Sequence, residues 1–324
     1  MSKYKQQRSA KFTLAGLLAT TILAFAPNLW AGGDVVHWWV GDAESKALKM
    51  IVDEFESSGG KWVDTPHNDS EAAHASVKSR VIGGKPPAAV LMVVGATSQE
   101  WAKAGMLNDV DSVAKAENWD EVLPDGVASA SKQDGKYIAA PVFISTVNWR
   151  YASLSVLQSA GVDEPMSWGA FMTSLPRIQK AGYIPIAMGG QDWQETLLFD
   201  HVALGAGGAQ YFRELLDGNM DTIDSDDTTR VFAAMRALAP YTDAGKAGRS
   251  WGDTNNLVIS GKAAYFFMGD WAKGGFLQAK KNPGKDFSCE ISPGSGMVLT
   301  AVDGFAFPKT SSSSDQATQG ALAS

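Results

Sequence analysis

The run PPAAVLMVVG, residues 86–95, is apolar almost from end to end and is bounded by Pro86 and Gly95. It is shorter than an ordinary helix, and it lacks the polar alternation of a strand with one wet face. A continuous apolar run of this length marks a parallel strand covered on both faces. The segments upstream agree. SEAAHASVKSRVI, residues 70–82, reads as a helix with Asp69 or Ser70 as its N-cap. KWVDT, residues 61–65, reads as a short strand. In SKALKMIVDEF, residues 45–55, Leu48, Ile51 and Phe55 recur at helical spacing. VVHWWV, residues 35–40, opens the series as a strand. Strands alternating with helices predict an α/β sheet.

Downstream, PVFISTVNWRY, residues 141–151, reads as an extended crossover into a second α/β unit. Helices are predicted at residues 152–160 and 167–181, then the strand YIPIAM, residues 183–188. Further helices are predicted through residues 192–216 and 226–244. The strand AAYFFM, residues 263–268, leads into a helix opening at GDWAKGG. MVLTAV, residues 297–302, and GFAFPK, residues 304–309, read as two short strands returning towards the first unit. The expected plan is bilobal: residues 32–143 in lobe 1, 144–296 in lobe 2 and 297–324 as a return segment. Residues 143–148 and 297–302 are the hinge, and the cleft between the lobes is the natural ligand site.

With 324 residues and 45% hydrophobic content, the chain has material for two cores. Lys3, Lys5, Arg8 and Lys11 precede an apolar run over residues 12–26, and no acid occurs before Asp34. This is a secretory leader with cleavage expected after Ala31; an uncleaved anchor is the alternative. Removing its four cations takes the formal net charge from −7 to −11. An acidic chain without a basic patch is a poor nucleic-acid binder. Cys289 is the single cysteine. Two readings stand, a buried thiol acting as a small hydrophobe or a cysteine that has lost its partner. A helix beginning at residues 316–323, where the sequence stops, leads us to expect the front part of a longer protein.

Catalytic signatures are thin. The Walker loop and HExxH are absent from the sequence. His67 and His74 lie near Asp69 and Glu71, but their spacing fits a capped, solvated helix start better than a metal site. No metal or cofactor is expected. Tryptophan is the unusual residue, with eleven in the chain. Several stand beside Gly, Asp or Gln where the chain turns: HWWVGDAE, GGQDWQ, GRSWGD and MGDWAKGG. A pyranose has apolar C–H faces that rest on such rings and hydroxyls that carboxylates and amides can bind. A charge-assisted hydrogen bond contributes roughly 1.5–3 kcal/mol. The alternative is that these rings plug the core beneath loops.

HWW…E, KSR, GGQDWQ, SGKAA, MGDWAKG and VDGFAFPK together resemble, in order and spacing, the periplasmic sugar-binding proteins of bacterial ABC importers. The likeness is strongest to the glucose/mannose-type branch of the large, maltose-binding-like class, and it spans the mature chain. It implies a type II two-lobed periplasmic-binding-protein fold with its C-terminal part missing, a periplasmic monomer, and hinged closure on a monosaccharide. It further implies delivery to a membrane permease; presentation of the sugar to a chemoreceptor is an alternative that the sequence leaves open. By the same resemblance, Trp38, Trp39 and Glu44 contact the sugar from lobe 1, Trp251 and Trp271 sandwich it from lobe 2, and Asp303 accepts from its hydroxyls. Gln191 and Trp193 lie near the cleft. Relatives carry polar ligands where this chain has Met92 and Val94, and some carry Asn where it has Ala301. The resemblance therefore raises the alternative of a truncated paralogue with impaired sugar binding. Their longer tail also supplies a cysteine that could pair with Cys289. The rival from another class is a secreted glycoside hydrolase, for which Glu44 and Asp303 are the candidate acids.

Overall fold

The computed structural model describes residues 32–324; the predicted leader lies outside the described residues. Ten of its strands form two sheets: β1 (Gly33–His37), β2 (Trp62–Pro66), β3 (Ala89–Val93), β4 (Leu107–Asn108), β5 (Ala139–Thr146), β6 (Trp149–Ser153), β7 (Ile184–Ile186), β8 (Ala263–Met268), β9 (Phe287–Ile291) and β10 (Thr300–Pro308). The first sheet runs β2-β1-β3-β10-β4, with β5 also paired to β10. The second runs β9-β6-β8-β7.

The apolar run that predicts a doubly covered strand is β3. Its residues 89–92 are fully buried, and it lies parallel to β1. On its other edge it meets β10 antiparallel, so the sheet is mixed rather than wholly parallel. Alternate side chains of β3 enter two different cores. Ala89 and Leu91 join Val35, Trp39 and Phe305 on one face. Val90, Met92 and Val94 join Val36, Ala73 and Val77 on the other. The helices on either side of β2 are α1 (Asp42–Ser57) and α2 (Ser70–Ile82). Asp69 is the N-cap of α2, with its Oδ1 accepting from Ala72 N–H at 2.8 Å.

In the second lobe the helix Trp168–Lys180 buries Phe171, Leu175 and Ile178 against Ile186 and Tyr265. Each such side chain contributes roughly 1.5–3 kcal/mol on burial. The opposite face of the same sheet gathers Phe266, Met268, Phe276 and Phe287. Cys289 packs at the margin of this second cluster as a half-buried free thiol.

Several elements differ from the sequence expectation. Residues 152–153 end strand β6, and the helix starts only at Leu154. The helical stretch 192–216 is interrupted by a π-helical turn at Ala203–Gly207. In 226–244 the α-helix stops at Leu238, followed by a 3-10 turn at Ala239–Tyr241. Strand β9 has no counterpart in the sequence reading: FSCEI is a short edge strand, buried only at Phe287 and Ser288. Conversely, MVLTAV and GFAFPK are not two strands. Residues 300–308 form one strand, because Gly304 lies within it at a register shift rather than at a turn. Asp303 faces Phe143 whereas Gly304 faces Pro141, which leaves Val142 as the extra residue of a β-bulge.

The connection between lobes is built from two antiparallel chain segments. β5 pairs with β10 up to the pair Thr146–Thr300. Val147 N–H then donates to Leu299 O at 2.9 Å. The side chain of buried Asn148 clasps the returning chain twice, donating from Nδ2 to Met297 O at 2.9 Å and accepting from Leu299 N–H at 2.8 Å. β6 begins at the next residue in the second sheet. Among the described residues no helix is long and apolar enough to cross a membrane.

Gly304 gives a direct test of the bulge. A Cβ there would lie 2.7 Å from both Ala140 O and Val94 Cγ2. Gly304→Ala should lower unfolding free energy by about 1–3 kcal/mol in denaturant titration. Gly320→Ala, at an open position within the helix Ser313–Ala323, should instead raise it by up to about 1 kcal/mol.

Candidate functional site

β1 ends at His37, and the next two residues carry the paired tryptophans to the mouth of the sheet. Their separation of roles follows from strand alternation. Trp39 is buried, with its ring edge-on to Phe143 at 6.0 Å and its Nε1 donating to Asp303 Oδ2 at 3.1 Å. Trp38 is half-buried and packs edge-on against His74 at 5.5 Å. His74 in turn meets Trp101, and burial holds its imidazole below the ordinary histidine range. His74 thus serves the wall behind Trp38, and among the described residues no group of three or more His, Cys, Asp or Glu could hold a metal ion.

Gly41 caps α1, and Glu44, three residues into the turn, reaches back so that its Oε2 accepts from Gly41 N–H at 2.9 Å. A Cβ on Gly41 would fall 2.8 Å from that oxygen and 3.2 Å from the Trp251 ring, so the second lobe closes onto this turn. Trp251 starts the helix Trp251–Ile259 behind the N-cap Ser250. Trp271 lies in the 3-10 turn Asp270–Ala272 that follows β8, and it packs against Trp193 with centroids 6.5 Å apart. Gln191 caps the helix Asp192–Val202, its Oε1 accepting from Gln194 Nε2 at 2.8 Å.

These elements enclose a cavity of about 500 Å³ between the lobes. Its walls contain each of the six residues expected to contact ligand, Trp38, Trp39, Glu44, Trp251, Trp271 and Asp303, together with Gln191 and Trp193. Ala301 also faces it. Met92 and Val94 do not. Strand alternation turns both into the core shared with α2, and the cavity-facing residue of β3 is Val93, 47% exposed. The polar-to-apolar replacements placed at Met92 and Val94 are therefore not replacements on the cavity wall. The sequence reading missed Asn68, Ser145, Asp270 and Lys273, which also line the space. Asp270 and Lys273 flank Trp271 inside a quoted motif; Asn68 and Ser145 carry no local signal.

The electrostatics are dominated by two carboxyl groups held away from water. Burial pushes Glu44 up to about 7, with the nearby Asp303 charge adding to the effect and the Gly41 N–H opposing it. Burial likewise pushes Asp303 up to about 6, opposed by the Trp39 N–H. Aromatic faces with desolvated acceptors between them are suited to a polyhydroxylated ligand, whose hydroxyls would supply the missing donors.

The chain thus has two lobes, a paired crossing and a cavity of about 500 Å³ between the lobes. The chain belongs to the bacterial extracellular solute-binding protein family, whose family model matches residues 40–319. A probable sugar-binding periplasmic protein of Brucella suis is 39% identical over 281 residues, covering 86% of this chain and 66% of its own. One from Rhizobium meliloti is 38% identical over 298 residues, covering 91% of this chain and 71% of its own. This chain thus spans about two thirds of the length of these relatives. Among solved structures, a chitin oligosaccharide binding protein superimposes with a TM-score of 0.76 at 18% identity, over 90% of this chain and 76% of its own. The bacterial solute receptor AcbH, described as preferring β-D-galactopyranose, gives 0.70 at 23% identity over 90% and 76%. The fold is the type II two-lobed α/β fold of periplasmic binding proteins. The matched relatives are solute-binding proteins rather than enzymes.

A carboxyl raised in the folded state favours folding when protonated, so its contribution is present at low pH and is lost as pH rises through its folded pKa. Glu44→Gln should therefore melt higher than the parent near pH 8, with the advantage shrinking on acidification through about 7. Buried His201, pushed down to about 3, acts in the opposite direction, and comparing the two proteins at each pH cancels it. Thermal melts from about pH 8 to about pH 5 read the difference.

Proposed function

We propose that this chain captures a glucose-like monosaccharide between its lobes and presents it to the membrane permease of an ABC importer. The observation that carries this reading is the convergence of tryptophans and two desolvated carboxyls, from both lobes, on one cavity of about 500 Å³. The names of the Brucella and Rhizobium relatives support a sugar as ligand and the periplasm as the working compartment. The leader is removed near Ala31 in this reading. In this reading Trp271 and Trp193 form an apolar shelf for the pyranose face. Trp251 closes over it from the rim, and Glu44 and Asp303 accept from its hydroxyls. Ligand contacts made from both lobes favour the closed form, which is the form a permease recognises. The protein works as a monomer and needs no cofactor.

A glycosidase reading is weaker on the same geometry. Acid–base hydrolysis requires two carboxyls pushed apart into different protonation states. Here burial raises both in the same direction, to about 7 and about 6. Val93 and Ala301 offer the ligand apolar contact only, which favours a saccharide with a deoxy or unsubstituted edge at that wall.

Isothermal titration against a panel of hexoses, pentoses and deoxy sugars tests the assignment. Micromolar binding of one monosaccharide is expected, with Trp271→Ala and Asp303→Asn each weakening it by about 10-fold or more. Absence of binding across the panel, or turnover of aryl glycosides that disappears in Glu44→Gln, would overturn it. Because hydroxyl donors favour the charged carboxylates, sugar binding should release protons near neutral pH. Affinity should accordingly decline as pH falls through about 7 and then about 6.

A further inference from the structure

Asp270 stands outside the ligand set anticipated from the sequence, and its two oxygens face different parts of the machine. Oδ2 accepts from the backbone N–H of Thr146 at 3.0 Å. Thr146 is the last residue of β5, and its partner across the hinge is Thr300, the first residue of β10. The carboxylate of a lobe 2 turn is therefore fastened to the strand pair through which the lobes are joined. Oδ1 is buried, lies on a side chain lining the ligand cavity and, among the described residues, meets no donor. A buried carboxylate oxygen without a donor is unfavourable, and a ligand hydroxyl is the group that would correct it. The same 3-10 turn, Asp270–Ala272, carries Trp271 on the cavity wall.

Resting on the sugar-receptor reading above, we propose that Asp270 is both a ligand-binding residue and the residue that couples occupancy to the hinge. A hydroxyl donated to Oδ1 completes a continuous bridge from ligand through one carboxylate to the Thr146 amide. Ligand contact and hinge geometry then share a single rigid group. A ligand shifts an open–closed equilibrium only by its differential affinity for the two forms. Asp270 supplies such a difference, because its bond to Thr146 depends on how lobe 2 sits against the hinge strands. Trp271, by contrast, contributes contact area and, among the described residues, makes no hydrogen bond to β5 or β10.

The test uses the full chain with Asp270→Asn, Asp270→Ala and, as a control, Trp271→Ala, each checked for an unaltered melting transition. Three readouts are compared: sugar affinity by calorimetry, ligand-induced compaction by small-angle scattering, and exchange of the Thr146 amide in the ligand-free protein. Asp270→Asn is nearly isosteric and keeps an oxygen for Thr146, so it carries the test if the alanine variant does not fold. It should lose about 10- to 100-fold in affinity. Asp270→Ala should in addition speed Thr146 exchange and reduce compaction at saturating sugar. Trp271→Ala should weaken binding while leaving Thr146 exchange at the parent rate. Binding within twofold of the parent in both Asp270 variants, with equal compaction, overturns the proposal. If the parent binds no sugar, the receptor reading falls. In that case faster Thr146 exchange in Asp270→Ala still upholds the hinge contact, and unchanged exchange overturns it.

Discussion

The antiparallel pairing of β10 with β5 is the constraint on which the rest of the molecule depends. β10 is inserted between β3 and β4 of the first sheet and is also bonded along its length to β5. It therefore belongs to the lobe 1 core while its first residues lie in the hinge. This fixes where the chain leaves lobe 2 and sets Asp303 opposite Phe143 at the mouth of the cavity. The bulge at Val142 permits that placement, since a regular register would pair Gly304 with Val142 and shift the chain beyond it by one residue. Asn148 adds a side-chain clasp to the same crossing, bonding both the amide and a carbonyl of the returning segment.

From this crossing follow both the mechanics and the electrostatics of the cleft. Two lobes joined by a narrow antiparallel ribbon can rotate with little disturbance of either core, because the apolar clusters lie within each lobe rather than across the join. Side chains meeting in the cleft are removed from water on several sides. Glu44 and Asp303 consequently hold their protons to higher pH than free carboxyls. Their internal partners, Gly41 N–H and the Trp39 indole, orient them without fully compensating the desolvation. A ligand that brought its own donors would offset that residual cost, which is how a preorganised site gains affinity and specificity together.

Much of the first lobe was legible in the sequence. The run over residues 86–95 and the helix over residues 70–82 have strong local patterns, and each occurs in the structure within a few residues of its expected bounds. The elements that were misread lacked such patterns or carried a misleading one. β9 is a five-residue edge strand containing Ser, Cys and Glu, too weakly apolar to stand out. Gly304 imitated a strand breaker, although its role is to let Ala140 and Val94 approach closely. In the site, the tryptophans were conspicuous through their position beside Gly, Asp and Gln. Ser145 and Asn68 were not, because nothing in their neighbours marks a small polar residue that faces a cavity.

The sequence by itself determined the α/β alternation, the two-unit plan and the concentration of aromatic and acidic side chains at turns. These follow from periodicity and from the chemistry of single residues, which are local properties. Only the tertiary structure decided which side chains share a space. It turned Met92 and Val94 into the core and Val93 towards the cleft, since one step along a strand reverses the face. It likewise brought Trp39 within 3.1 Å of Asp303, 264 residues away, and fastened Asp270 to Thr146 across the hinge. Those contacts depend on register and chain crossing, and no window of neighbouring residues contains them.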